Sequence, residues 1–153
     1  MPSGTSIRPG DATNDPSIVR ALIVDDDVSC RDILRKLISK IGECDTAGDG
    51  LAAVGSVTTA QIEQRPYDLI TLDISMPRMD GLQALHAIRG IEHQLAPDRR
   101  SKILMTSCST SHKHITESYQ HACEDYLIKP FSIEKLFAKL AELGFERPNA
   151  EAA

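Results

Sequence analysis

A chain of 153 residues with 41% hydrophobic and 25% charged residues has the profile of one globular domain with an ordinary core. Its formal net charge of -5 argues against nucleic acid as a partner, because neutralising phosphates needs a basic excess. No apolar run is long enough to span a bilayer, MPSGTSIRPG lacks a signal-peptide core, and Pro2 stands where myristoylation needs glycine, so a cytoplasmic protein without membrane insertion is expected.

Residues 1–18, rich in Pro, Gly, Ser, Thr, Asn and Asp, read as a flexible lead, residues 19–145 as one domain and residues 146–153 as a polar tail. Within the domain, Ala21-Leu-Ile-Val24 reads as a buried strand. From Ser29, apolar Ile33, Leu34, Leu37, Ile38 and Ile41 recur at helical spacing, and Gly42 is expected to end that helix. Cys44–Ala47 is a weak second strand, Gly48-Asp-Gly50 a turn, and residues 51–64 a second helix. Asp68–Asp73 is a third strand and Leu82–Arg89 a third helix, with a long polar connection from Gly90 through Ser101. Ile103-Leu-Met105 is a fourth strand, His112–His121 a polar fourth helix with a thin apolar stripe, and Tyr126-Leu-Ile128 a fifth strand. Ser132 caps a last helix with Ile133, Leu136, Phe137, Leu140 and Leu143 on one face, and Gly144 closes it. Cys30, Cys44, Cys108 and Cys123 show no C-x-x-C pairing and read as reduced thiols.

Five strands alternating with five helices imply an α/β, doubly wound parallel sheet. Such sheets bind ligands beyond the carboxyl ends of their strands. Polar groups cluster there: Asp25-Asp26-Asp27 after the first strand, Asp73 at the end of the third, Thr106-Ser107 at the fourth, and Lys129-Pro130 at the fifth. Clustered carboxylates repel unless a cation lies between them, and Mg2+ prefers such oxygens and pairs with phosphate. Lys129 offers a charge for a phosphoryl oxygen and Ser107 a hydroxyl donor. Phosphoryl transfer needs mainly positioning and charge neutralisation, so these parts fit Asp73 as a nucleophile forming an acyl phosphate.

Three segments in this order resemble the receiver (CheY-like) domains of two-component response regulators: Asp25-Asp26, Asp73-Ile-Ser-Met-Pro-Arg-Met-Asp-Gly81, and Asp125-Tyr-Leu-Ile-Lys-Pro-Phe131. The resemblance covers about Ala21–Leu143. It implies a flavodoxin-like fold with strand order 2-1-3-4-5 flanked by five helices. It implies Mg2+ held by Asp25, Asp26, Asp73 and the backbone carbonyl of Ser75, with Lys129 contacting the phosphoryl group. A cis bond before Pro130, Ser107 as the switch hydroxyl and Tyr126 as an aromatic that tracks activation are implied in the same way. The sequence departs from the pattern at Ala122-Cys123, where Gly-Ala is usual, and in using Ser at 107.

The function so implied is that of a stand-alone response regulator. A histidine kinase or histidine phosphotransfer protein would phosphorylate Asp73, and a downstream protein would read the face made by the fourth helix, fifth strand and last helix. Enzymatic activity would be limited to self-phosphotransfer and autodephosphorylation at Asp73. Two other readings compete. A Mg2+-dependent aspartyl-nucleophile phosphohydrolase would want an acid where Ser75 stands and a substrate cap. A non-phosphorylated receiver-like binding module would not need Asp25, Asp26, Asp73 and Lys129 together.

Overall fold

The computed structural model describes residues 19–108 and 122–146. Strands β1 (Val19–Val24), β2 (Gly42–Ala47), β3 (Leu69–Asp73), β4 (Lys102–Ser107) and β5 (Asp125–Ile128) form one parallel sheet in the order β2-β1-β3-β4-β5. Four helices are described: α1 (Val28–Ile38), α2 (Gly50–Ile62), α3 (Gly81–Leu95) and α4 (Ile133–Glu142). The expected helix over His112–His121 lies outside the described residues, as do the lead and most of the tail.

The sheet is buried on both faces, which explains why β1, β3 and β4 read as continuous apolar runs rather than alternating ones. One core packs Ala53, Val57, Leu85 and Ile88 of α2 and α3 against Leu22, Ile70 and Ile103. The other packs Leu34, Ile38, Leu136 and Leu140 of α1 and α4 against Ile23, Leu104 and Leu127. Edge strand β2, with sequence GECDTA, carries little apolar signal of its own. Its in-register pairing with β1, Val19 opposite Gly42 through Val24 opposite Ala47, defines it.

Several boundaries differ from the sequence expectation. Helix α1 starts one residue before Ser29 because Asp27 is its N-cap, accepting from the backbone N–H of Ser29 at 2.9 Å and of Cys30 at 3.4 Å. Gly42 does not end α1; Ser39 is the C-cap and Gly42 opens β2. A Cβ there would lie 2.3 Å from the Val19 carbonyl oxygen, so strand pairing demands the glycine. The Gly48–Gly50 turn holds Asp49 as N-cap of α2, accepting from the Ala52 N–H at 2.8 Å. At the other end of the chain, Ser132 caps α4 and Gly144, with φ of 99°, ends it. The Phe145 N–H reaches the Leu140 carbonyl and the Gly144 N–H the Ala141 carbonyl, a Schellman closure.

The largest difference is α3, which runs six residues past Arg89 and absorbs half of the expected polar connection. Polar Glu92 is 4% exposed, and its burial rests on two partners, one a turn back in α3 and one beyond the end of the helix. Its Oε1 pairs with Arg89 at 2.7 Å and its Oε2 accepts from the Ser101 N–H at 2.8 Å. The same Arg89 guanidinium reaches Glu124 at 2.9 Å, the Ser101 carbonyl at 2.8 Å and the Ala122 carbonyl at 2.5 Å. This network ties the end of α3 to the start of β4 and the approach to β5. Glu92→Ala is expected to cost about 2–4 kcal/mol in urea unfolding, because it strips a buried pair of one partner. A variant as stable as the parent would show that the α3 extension does not depend on this contact.

No helix among the described residues is long and apolar enough to cross a membrane.

Candidate functional site

Parallel strands all release their carboxyl ends at one edge of the sheet, and the strand-end polar groups meet there. Asp25 follows β1 and is fully buried, Asp73 closes β3 at 5% exposure, and Ser107 closes β4, also buried. Asp26 is exposed. One carboxylate oxygen from each of Asp25, Asp26 and Asp73 lies within 4.8 Å of the others. Lys129, just past β5, donates from Nζ to Asp25 Oδ2 at 2.8 Å and sits 3.7 Å from Asp73 Oδ1. The ammonium group is therefore shared, with its hydrogen bond on Asp25 and a looser ion pair on Asp73.

The backbone fixes these groups. The Asp27 N–H donates to Asp25 Oδ1 at 2.9 Å, and Arg31 Nη1 donates to the Asp25 carbonyl at 2.8 Å. The Lys129 N–H donates to the Ser107 carbonyl at 2.6 Å, and the Lys129–Pro130 peptide is cis. Thr106 lies in register with Asp73, its hydroxyl buried with no hydrogen-bond partner among the described residues. Ser107 lies one residue beyond, at the rim. The α3 N-terminus abuts the Asp73–Ile74 backbone: the Gly81 N–H donates to the Ile74 carbonyl at 2.8 Å, and Asp80 and Gln83 complete a capping box.

Burial pushes the Asp73 carboxyl up to about 7 from its ordinary 3.8; Lys129 offsets part of this, and the neighbouring Asp25 and Asp26 add to it. Burial alone would depress the Lys129 ammonium, but its hydrogen bond to Asp25 and the charges of Asp73 and Asp25 leave it raised. An acid held up by burial and by two neighbouring acids, with one ammonium offsetting them only in part, is the kind of perturbed group that gathers at functional sites. Three hard oxygen donors in that condition suit a divalent cation such as Mg2+, which holds each ligand oxygen at about 2.1 Å. They would close on it slightly or bind partly through water. Beside them runs an open groove of about 410 Å³ between Asp26 and Ser75, walled by Met76, Pro77 and Leu82, with room for an incoming group.

Tyr126 is half-buried on β5, its ring packed at the margin of the α2–α3 core with Lys139 Nζ 5.9 Å from the ring centroid. Ser75 is exposed beside the groove. The strand-end reading did not single out Arg31, Asp49, Arg78 or Gly81, which support the site from behind. Of these, Asp49 and Gly81 carried a sequence signal, each as part of an Asp-Gly pair just before a helix. Cys30, in the first turn of α1, and Cys108, past β4, are free thiols like Cys44 and Cys123.

Comparison with known proteins agrees with this fold. The model of the response regulator receiver domain matches residues 21–141. The response regulator MprA of Mycobacterium tuberculosis is 34% identical over 126 residues, which are 82% of this chain and 50% of that protein. The chain thus spans about half the length of the curated relatives it matches. Among solved structures, the chemotaxis response regulator CheY4 of Vibrio cholerae is 28% identical with a TM-score of 0.67, covering 82% of this chain and 98% of that one. The response regulator protein TrrA of Thermotoga maritima, solved in complex with Mg(2+)-BeF, is 28% identical with a TM-score of 0.64, covering 82% and 99%.

Proposed function

This chain belongs to the response regulator receiver domain family of two-component signalling, and on that premise we propose that it is a switch phosphorylated on Asp73. The donor would be a phosphohistidine of a histidine kinase or histidine phosphotransfer protein. An Asp73 carboxylate oxygen forms the new P–O bond as the histidine P–N bond breaks, and the imidazole leaves with a proton. Mg2+ held by Asp25, Asp26, Asp73 and the Ser75 carbonyl would neutralise charge on the transferring oxygens. The observation that carries this reading is the meeting of Asp25, Asp26 and Asp73 within 4.8 Å, with Lys129 bridging two of them.

The chain's own groups then have distinct tasks. Asp25 holds the Lys129 ammonium beside the acceptor, where it meets a new phosphoryl oxygen without first being drawn in from solvent. The Ser107 hydroxyl, at the same rim, donates to a second oxygen. These two contacts exist only with phosphate present, so they favour whichever arrangement of β4 and β5 makes them. Tyr126, on β5, follows that shift, and a partner protein reads the face that includes β5 and α4. Water attacking phosphorus through the open groove would release phosphate and reset Asp73. The wider partner set, the pathway and a cytoplasmic location belong to this same proposal.

Incubation with Mg2+ and acetyl phosphate, followed by intact-mass measurement, tests it. A gain of one phosphoryl group is expected, lost when EDTA removes the metal. No gain from acetyl phosphate or from a phosphorylated histidine phosphotransfer protein would leave a receiver-like binding module, and sustained turnover of varied phosphate esters would indicate a phosphohydrolase.

A further inference from the structure

The acids that would share a cation leave two different strands, and like charge opposes their close approach. Asp25 and Asp26 follow β1; Asp73 and Ser75 end and follow β3. Wedged beside both is the β2–α2 loop, which contributes no carboxylate to the cluster. On one side it supports Asp25. The Asp25 N–H donates to the Ala47 carbonyl at 3.2 Å, and a Cβ at Gly48 would lie 3.2 Å from Arg31 Nη1, the atom that holds the Asp25 carbonyl. On the other side it grips the acceptor loop. Asp49 Oδ2 accepts from Arg78 Nη2 at 2.7 Å, and a Cβ at Gly50 would lie 2.7 Å from the Met79 carbonyl oxygen and 2.9 Å from its Cγ.

Arg78 is itself unusual. Its φ of 67° puts a long side chain in the left-handed region, a conformation that persists only where the surroundings enforce it. The enforcing contacts are the Asp49 pair and the tight turn in which the Met79 N–H reaches the Pro77 carbonyl at 2.8 Å. Three residues on, Gly81 lies against the backbone of Asp73. A continuous set of contacts thus runs from Asp25 through Ala47, Gly48 and Asp49 to Arg78 and the acceptor.

We infer that the β2–α2 loop is a brace that sets the width of the acidic site, with Asp49 and Arg78 as positioning residues for divalent-cation binding. The inference rests on the metal reading of Asp25, Asp26 and Asp73 given above. Asp49 has two separable tasks: Oδ1 caps α2 and Oδ2 holds Arg78. The Arg78 side chain is 65% exposed, and an exposed pair contributes little to global stability. Loss of the pair should therefore be visible in the site rather than in the unfolding transition.

Two variants separate these effects. Arg78→Gly removes the guanidinium and accepts the left-handed backbone freely. Asp49→Ser keeps a capping oxygen but is too short to reach Arg78. Mg2+ titrated into the 153-residue protein by calorimetry should show a dissociation constant raised about tenfold in each. The double variant should be no weaker than either single one, and Arg78→Lys should keep the parent affinity within about twofold. The metal-free thermal midpoint of Arg78→Gly should be unchanged or higher. Unchanged Mg2+ affinity in both single variants overturns the brace, whatever their midpoints, and so do fully additive effects in the double variant. Binding is read directly here. A parent that binds Mg2+ yet takes no phosphoryl group defeats the acceptor reading alone, whereas a parent that binds no Mg2+ defeats the metal reading and the brace with it.

Discussion

Asp73→Asn is expected to take no phosphoryl group from acetyl phosphate and, without metal, to be more stable than the parent above about pH 7. The first effect follows from removing the only nucleophile the proposal names. The second follows from linkage. The Asp73 carboxyl titrates near 3.8 in an unfolded chain and about 7 in the fold, so the folded state binds the proton more tightly. Between these values the folded protein holds more protons than the unfolded one, and stability falls as pH rises. The contribution is fully present below about pH 4 and lost by about pH 8. A shift of this size corresponds to about 2–4 kcal/mol. Asparagine occupies the same space without the charge, so the variant escapes that loss. Its advantage over the parent should be near zero at pH 4 and grow to its full value at pH 8, read as paired urea or thermal transitions in EDTA. Metal should narrow the difference, because Mg2+ bound as proposed, at a hundred times its dissociation constant, would stabilise the parent by about 2.7 kcal/mol, and the variant lacks a ligand. A stability difference that ignores pH would sink the claim that burial and neighbouring acids raise this carboxyl.

Gly81→Ala should do damage out of proportion to one methyl group. A Cβ at residue 81 would stand 2.2 Å from the Asp73 carbonyl oxygen, 2.7 Å from Ile74 Cα and 2.8 Å from the Asp73 carbonyl carbon. All three are backbone atoms at the end of a central strand, and none can swing aside as a side-chain tip does. Either α3 lifts away, exposing Ala84 and Leu85, or the loop after Asp73 shifts. Overpacking of this kind costs about 1–3 kcal/mol or more, and a displacement near 1 Å at a reacting group costs up to about a hundredfold in rate. Lower stability is expected in urea unfolding together with at least tenfold slower phosphorylation at saturating Mg2+. Gly90→Ala in the same helix is the control. Nothing lies within 4 Å of the Cβ it would add, so better helix propensity should stabilise it by up to about 1 kcal/mol with phosphorylation unchanged. Equal behaviour of the two variants would refute the close-approach argument.

What the sequence determined by itself was the local pattern. Apolar runs such as Ala21–Val24 and Leu69–Leu72 announce strands buried on both faces, and a polar residue directly after each run must emerge at the sheet edge. From that alone Asp25, Asp26, Asp73, Ser107 and Lys129 were brought to one rim, and the parallel α/β architecture followed. What only the tertiary structure decided was everything set by a partner far along the chain. Glu92 looked like a loop residue until the Ser101 backbone closed on it and its neighbour Arg89 was tied to Ala122 and Glu124, more than thirty residues away. Gly42 looked like a helix stop until its approach to Val19 made it a strand residue. The three consecutive acids divided their labour, Asp25 inward, Asp26 outward and Asp27 onto the N–H groups of α1. Arg78 and Asp49, 29 residues apart, met as a pair. Backbone preference and side-chain periodicity act over a few residues and are written in the local sequence. Burial, close approach and ion pairing depend on what the folded chain brings alongside, and no short window of sequence contains it.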